Sequence, residues 1–136
     1  MRQFQVLHAP LRIAGRIGLA SLFLLGGINK ILTFDTTLAR MAEAGLHPAA
    51  LLLPCVIAME LIGGALVAYG RWAASLAALA LALFTLATNV YFHDFWNMQG
   101  DLAALELSLF FKNVAIAGAL LFYAAAIEEM RAGKDG

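Results

Sequence analysis

The sequence predicts an all-α polytopic membrane protein, a four-transmembrane-helix bundle with a short interfacial helix between the first and second spans. Three observations carry that expectation. Of the 136 residues, 62% are hydrophobic and 13% charged, with a mean hydropathy of +0.83, whereas soluble domains carry about 25% charged residues. Four apolar segments, Leu11–Leu32, Ala50–Gly70, Trp72–Phe92 and Leu107–Ile127, each approach or exceed the roughly 20 residues that cross a ~30 Å hydrocarbon core. They are rich in Leu and Ala with no period-two alternation, which favours helices over barrel strands. The length suits one domain, residues 1–136. A formal net charge of zero gives no sign of nucleic acid or any other strongly charged partner, so the lipid bilayer is the partner the composition implies. Cys55 is the only cysteine, which rules out an intrachain disulfide and leaves the redox state of the compartment open.

The first segment has Arg2 before it and Arg12 and Arg16 in its opening turns, a pattern shared with secretory signal peptides. It is longer than a 7–15-residue signal core and ends in Asn29-Lys30 with no small-residue cleavage site, so it reads as a retained helix. In the following loop, Phe34, Leu38 and Met41 recur at helical spacing, Asp35 can cap the start, and Gly45 and Pro48 end the pattern. With Arg40 and Glu43 on the opposite face, this stretch suits a helix lying in the interface. The second segment carries Pro54 a turn or so inside it, a place for a kink. Only Gly70-Arg71 separates it from the third, so the two form a tight antiparallel hairpin. Placing both termini and that turn on one side collects Arg2, Arg12, Arg16, Arg71, Arg131 and Lys134 there, against Lys30, Arg40 and Lys112 on the other. The positive-inside bias then predicts cytoplasmic termini, with 33–49 and 93–106 as outer loops.

Helical phase points to a polar interior. Gly15, Gly18, Gly26 and Asn29 share a stripe in the first helix, with Lys30 beside it. Gly63 and Gly64 follow Glu60 on its face of the second. Ser75, Ala78, Ala82, Thr85 and Asn89 line the third, with His93 one turn beyond, and Ser108, Lys112, Ala115 and Ala119 line the fourth. Small residues at this spacing mark helix contacts in a bilayer. The candidate cluster is therefore Asn29, Lys30, Glu60, Asn89, His93, Lys112 and Asn113, in the outer half of the bundle. Glu60 lies roughly 15 Å below the outer end of its helix and Lys112 about 8 Å below the end of its own. An unpaired charge at that depth costs about 2.5–3.5 kcal/mol. Glu60 is expected either to pair with a lysine, Lys112 first, or to stay protonated and donate to Asn89 or a backbone carbonyl. Such a group either fixes helix register or handles protons or a ligand.

Phe92-His93-Asp94-Phe95-Trp96-Asn97 reads in two ways. His93 and Asp94 could relay protons, while Phe92, Phe95 and Trp96 sit where an interfacial aromatic belt forms. No metal site is expected, because no second His or Cys stands at ligand spacing. Pairing His47 with His93 around a haem is open to geometry and supported by nothing else, and His8 lies on the other side. There is no P-loop, no dinucleotide glycine pattern and no paired-cysteine motif.

Several motifs together resemble the DoxX family. They are Gly26-Gly27-x-x-Lys30, Glu60-x-x-Gly63-Gly64, Gly70-Arg71-Trp72-Ala73-Ala74, His93-Asp94-Phe95-Trp96 and Phe111-Lys112-Asn113, spread from Leu11 to Phe122. The resemblance implies a four-helix protein of the bacterial cytoplasmic (inner) membrane. The family's namesake is a small membrane subunit linked to thiosulfate:quinone oxidoreductase and a terminal quinol oxidase, and other relatives are associated with membrane oxidoreductases that cope with oxidative stress. Carried over, the family's polar positions fall on Lys30, Glu60, Arg71, His93 and Lys112. The expectation is a quinone-interacting subunit or accessory of a membrane oxidoreductase, with the redox centre borrowed from a partner subunit or a quinone used directly. No recognised motif binds a cofactor, and no residue is assigned a catalytic role. The alternative is a non-enzymatic scaffold or assembly factor clasping another membrane protein. A solute or proton pathway is disfavoured by the sparse polar lining of the inner half. Whether copies of the chain form a homo-oligomer stays open.

Overall fold

The computed structural model describes residues 2–71 and 73–133, with side chains from His8 onward. The expected start of the third span at Trp72 and the basic Lys134 lie outside the described residues, as does the side chain of Arg2. The elements are α1 (Arg2–Leu32), α2 (Phe34–Glu43), α3 (Ala49–Tyr69), α4 (Ala74–Phe92), a single 3-10 turn at Phe95–Asn97, and α5 (Gly100–Ala132). Among the described residues there is no strand, and α1, α3, α4 and α5 are long and apolar enough to cross a membrane. At 1.5 Å per residue, α3 and α4 are about 31 and 28 Å long, while α1 and α5 reach about 46 and 50 Å.

Three boundaries differ from expectation by five residues or more, one of them the end of α5 at Ala132 rather than Ile127. Helix α1 begins at Arg2 rather than Leu11 and runs through Pro10. Helix α5 begins at Gly100 rather than Leu107, so half of the expected outer loop 93–106 belongs to α5. Asp101 and Glu106 mask that stretch in a hydropathy reading. Yet Ala and Leu are strong helix formers, and Asp101 in the first turn complements the helix dipole. In α2, Thr33 rather than Asp35 is the N-cap, and its hydroxyl donates back to the Asn29 carbonyl. Met41 is buried against Ala49 and Leu53 of α3, with Leu38 and Val56 packed beside them. Pro54 is accommodated within a continuous α3.

Helix α4 is the spine. Ala74, Ser75, Ala77, Ala78, Leu81, Ala82, Thr85 and Asn89 are all buried, so the small-residue stripe read from this helix faces inward as expected. Helix α3 packs on one side of it and α5 on the other, α1 lies against α3, and α1 and α5 touch only lightly. Alanine dominates the core, through Ala20, Ala78, Ala82, Ala117 and Ala124, with Phe23, Val67, Leu81 and Leu120 filling between the helices. Short side chains let backbones approach and gain dispersion contacts where lipid offers no hydrophobic drive. Large apolar residues instead cover the outside, Leu32 at 77% exposure and Phe122 at 78% among them, as a surface solvated by acyl chains requires. Cys55 is exposed on α3.

The stripes read from α1 and α5 are corrected. Gly15, Gly18 and Asn29 are exposed, and the buried line of α1 is Ala20, Phe23 and Gly27. On α5, Ser108, Lys112, Ala115 and Ala119 are exposed, while Ala117, Leu120, Ala124 and Ile127 are buried. Lipid tails are as apolar as leucine, so on these outer helices neither size nor hydropathy separates the core face from the lipid face.

Glycines set the two seams of α3. A Cβ on Gly64 would stand 3.1 Å from Leu24 and 3.3 Å from the Ala20 carbonyl oxygen, and one on Gly63 3.1 Å from Leu81. Gly70 ends α3 in the left-handed region (φ 69°), and its amide donates to the Leu66 carbonyl. Ala73 also takes a left-handed conformation (φ 54°), completing the reversal into α4. Gly64→Val should force backbone against backbone and cost about 1–3 kcal/mol, the usual range for overpacking. Gly118, with open space around its Cα, should gain about 0.5–1 kcal/mol on change to Ala through helix propensity. Thermal unfolding of both variants in one detergent checks the contrast, and equal destabilisation would contradict the assigned seam.

Candidate functional site

The seven candidate residues fall into separate contacts rather than one cluster. The first joins α1 to α3. Side chains on a helix lean toward its N-terminus, so Lys30, in the last turn of α1, reaches back into the bundle. Its Nζ stands 2.9 Å from both carboxylate oxygens of Glu60 and donates a well-formed hydrogen bond to Oε1. Oε2 is equally close but accepts no hydrogen bond of good geometry, and it is buried. We take the contact as an ion pair with one directed bond. Glu60 is 6% exposed and Lys30 26%, so the carboxylate is sealed while the ammonium keeps a path outward. Gly26 and Gly27 make this possible. A Cβ on Gly26 would lie 3.4 Å from Glu60 Oε1, and one on Gly27 2.8 Å from Leu61.

This overturns the expected partnership of Glu60 with Lys112. Lys112 lies on the exposed side of α5, and its expected inward direction came from the stripe corrected above. Asn89 does not receive a proton from Glu60 either. It donates from Nδ2 to the Phe110 carbonyl at 3.1 Å and accepts at Oδ1 from Asn113 Nδ2 at 2.9 Å. This amide pair is the second contact, joining α4 to α5. Asn89 is 1% exposed, and Thr85 one turn earlier satisfies itself on the Leu81 carbonyl.

The third contact is at the end of α4, where His93 Nδ1 lies 2.6 Å from Glu106 Oε2. Glu106 was absent from the sequence-derived set because 93–106 read as a loop. Its spacing of seven residues from Asn113, two helical turns, is the signal that could have found it. Both side chains are half-buried, at 22% and 16%. Phe95 stacks edge-on with Trp96 and Phe110 at centroid distances of 5.2 and 5.4 Å, and Phe111 meets Phe110 at 5.6 Å. Asp94 accepts from Asn97 rather than turning to His93. Asn29 is exposed, and its backbone carbonyl accepts from Thr33.

The opposite end of the bundle is tied differently. The Ser75 hydroxyl bonds the Glu128 carboxylate, Tyr123 donates to the Val67 carbonyl at 3.0 Å, and Arg131 donates to the Arg71 carbonyl at 3.3 Å. Between α1 and α5 at this end lies a cleft of about 1280 Å³ lined by Arg12, Arg16, Arg71 and Arg131.

Four apolar helices, an alanine core and buried polar contacts joining the spans define a polytopic helical membrane protein. The chain belongs to the DoxX family, which it matches over residues 11–94. It is also similar to the inner membrane protein YphA of Escherichia coli, 34% identical over 121 residues covering 89% of this chain and 86% of that one. No solved structure matches it significantly.

A double-mutant cycle tests the corrected ion pair. Glu60→Gln should leave Lys30 without its counter-charge, a loss on the order of 3 kcal/mol, the lower end for breaking a buried pair. Adding Lys30→Met should recover part of it. Lys112→Met should show no coupling to Glu60, as separated sites add within about 0.5 kcal/mol, and coupling above that would restore the discarded partnership.

Proposed function

We propose that the chain is a quinone-interacting subunit or accessory of a membrane oxidoreductase system, and that the quinone is met at the His93 end. The observation that carries this reading is the His93–Glu106 contact beside an aromatic cluster at the edge of the spans. When Nδ1–H donates to the Glu106 carboxylate, Nε2 is left as the acceptor, because each ring nitrogen's role is set by the bond the other makes. Nε2 then accepts a proton from a quinol hydroxyl, and the carboxylate stabilises the imidazolium formed. In the reverse direction the imidazolium donates to a quinone carbonyl. Phe95, Trp96 and Phe110 offer apolar faces for the ring, as a pocket with few polar groups needs. The electrons pass to or from a redox centre on a partner subunit.

One observation favours a second reading, a non-enzymatic scaffold for another membrane protein. Lys30–Glu60 and Asn89–Asn113 satisfy each other across helix seams, so much of the intramembrane polarity serves packing. Protein purified in mild detergent should retain quinone detectable by organic extraction and mass spectrometry. His93→Ala and Glu106→Gln should each lower occupancy by about fivefold or more, the loss of one hydrogen bond of roughly 1 kcal/mol. Wild type carrying no more quinone than a detergent-matched control, with no rise in melting temperature on adding quinone, would make the scaffold the better reading.

We further infer that the chain lies in the inner membrane with both termini cytoplasmic. Arg12, Arg16, Arg71 and Arg131 lie at the end bearing the termini, while Lys30, Arg40 and Lys112 lie toward the other; basic residues favour the cytoplasmic side. Reporter fusions at residue 136 and within 97–101 should mark opposite sides, and a periplasmic C-terminus would reverse the assignment.

A further inference from the structure

The arginine-lined cleft between α1 and α5 plays no part in the quinone reading, and it lies at the opposite end of the bundle. Arg12 and Lys30 on α1 are separated by about 27 Å of helix. The cleft is bounded by the first half of α1, the turn after α3 and the last turns of α5. Four arginines from three elements line it, and among the described residues no Asp or Glu does. Their local bonds leave much donor capacity unused. Arg131 donates to Glu128 and to the Arg71 carbonyl. Among the described residues Arg12 finds only the Met130 sulfur, a weak acceptor. Arg16 Nε is buried and has no hydrogen-bond partner among the described residues. A buried orphan donor on a charged group carries a large desolvation penalty, and guanidinium groups with no carboxylate beside them among the described residues repel one another. Leu11, Leu19, Phe122 and Ile127 give the remaining wall an apolar stretch, and His8, Tyr69 and Tyr123 also line it. Helices α1 and α5, which flank the cleft, touch only lightly.

We propose that this cleft binds one anionic membrane phospholipid. Its phosphodiester lies among Arg12, Arg16 and Arg71, and its acyl chains leave along Leu19 and Phe122. A guanidinium fork matches two phosphate oxygens at once, which gives the unpaired donors acceptors and offsets the repulsion. The Arg16 guanidinium is level with Gly70 at the end of α3, close enough that a Cβ there would overlap it. That is where a hydrophobic span ends and a head group begins. Net charge distinguishes this ligand from zwitterionic lipids, whose own ammonium group would face the arginines.

Native mass spectrometry of the full chain, in micelles doped equally with phosphatidylglycerol and phosphatidylcholine, tests the proposal. One phosphatidylglycerol per chain is expected to survive activation, with phosphatidylcholine lost. Phosphatidylglycerol should also raise the melting temperature by about 3 °C or more, a shift expected for a bound ligand in a domain of this size. Arg12→Gln with Arg16→Gln should abolish both effects, while Arg40→Gln, on α2, should leave them intact. Arg12→Gln alone, altering only an exposed side chain, should weaken retention at least about tenfold if the double variant fails to fold. Equal retention of the two lipids, retention unchanged in the arginine variants, or the full thermal shift from inorganic phosphate alone would overturn it.

Discussion

A carboxyl group in an apolar bundle needs either a cation or a proton of its own, and Glu60 is met by Lys30. The geometry of α1 against α3 follows from that requirement. The only lysine on α1 sits in its last turn, so its side chain has to run back along the helix to reach the middle of α3. That path exists because Gly26, Gly27 and Gly64 remove the side chains that would hold the helices apart. The charge and the glycines are one device. The ion pair costs desolvation and contributes little net stability, and sliding α1 along α3 would separate Lys30 from Glu60.

The seam between α4 and α5 uses neutral chemistry. The Asn89 amide is both donor and acceptor, and it closes a chain running from the Phe110 carbonyl through Asn89 to Asn113. Hydrogen bonds between membrane helices are worth about 0.6 kcal/mol on average, so this contact selects an arrangement more than it stabilises one. The alanine face of α4 lets α3 and α5 pack close on both sides. The molecule thus has two fastened pairs, α1–α3 by charge and α4–α5 by amides, joined along the Gly63–Leu81 contact. The fourth seam, between α1 and α5, is left almost unfastened.

Composition and segment length made the four spans and the α2 interlude legible, because a helix buried in lipid must be long and apolar. Phase was legible where a helix is enclosed. On α4 the line Ser75, Ala78, Ala82, Thr85 and Asn89 is buried throughout, and on α3 Glu60, Gly63 and Gly64 share the inner face. It was not legible on α1 and α5, whose outer faces meet lipid and carry small residues at helical spacing as well. Misreading α5 turned Lys112 inward and made it the partner of Glu60. The start of α5 was lost because Asp101 and Glu106 lower the hydropathy of a stretch that is helical by propensity, and Glu106 was lost with it.

The unequal lengths of the helices carry a mechanical meaning. Helices α3 and α4, the central hairpin, are close to the ~30 Å of a hydrocarbon core, while the peripheral α1 and α5 run well past it, in part at opposite ends. The inner pair therefore acts as a ruler for bilayer thickness. A longer helix adapts to a thin membrane by tilting, but α4 is gripped on both sides and cannot lean alone. In a thicker bilayer the lipid must compress around the hairpin, at fractions of a kcal/mol for each ångström of mismatch. In such a bilayer the protein should accordingly deform its surroundings more than itself.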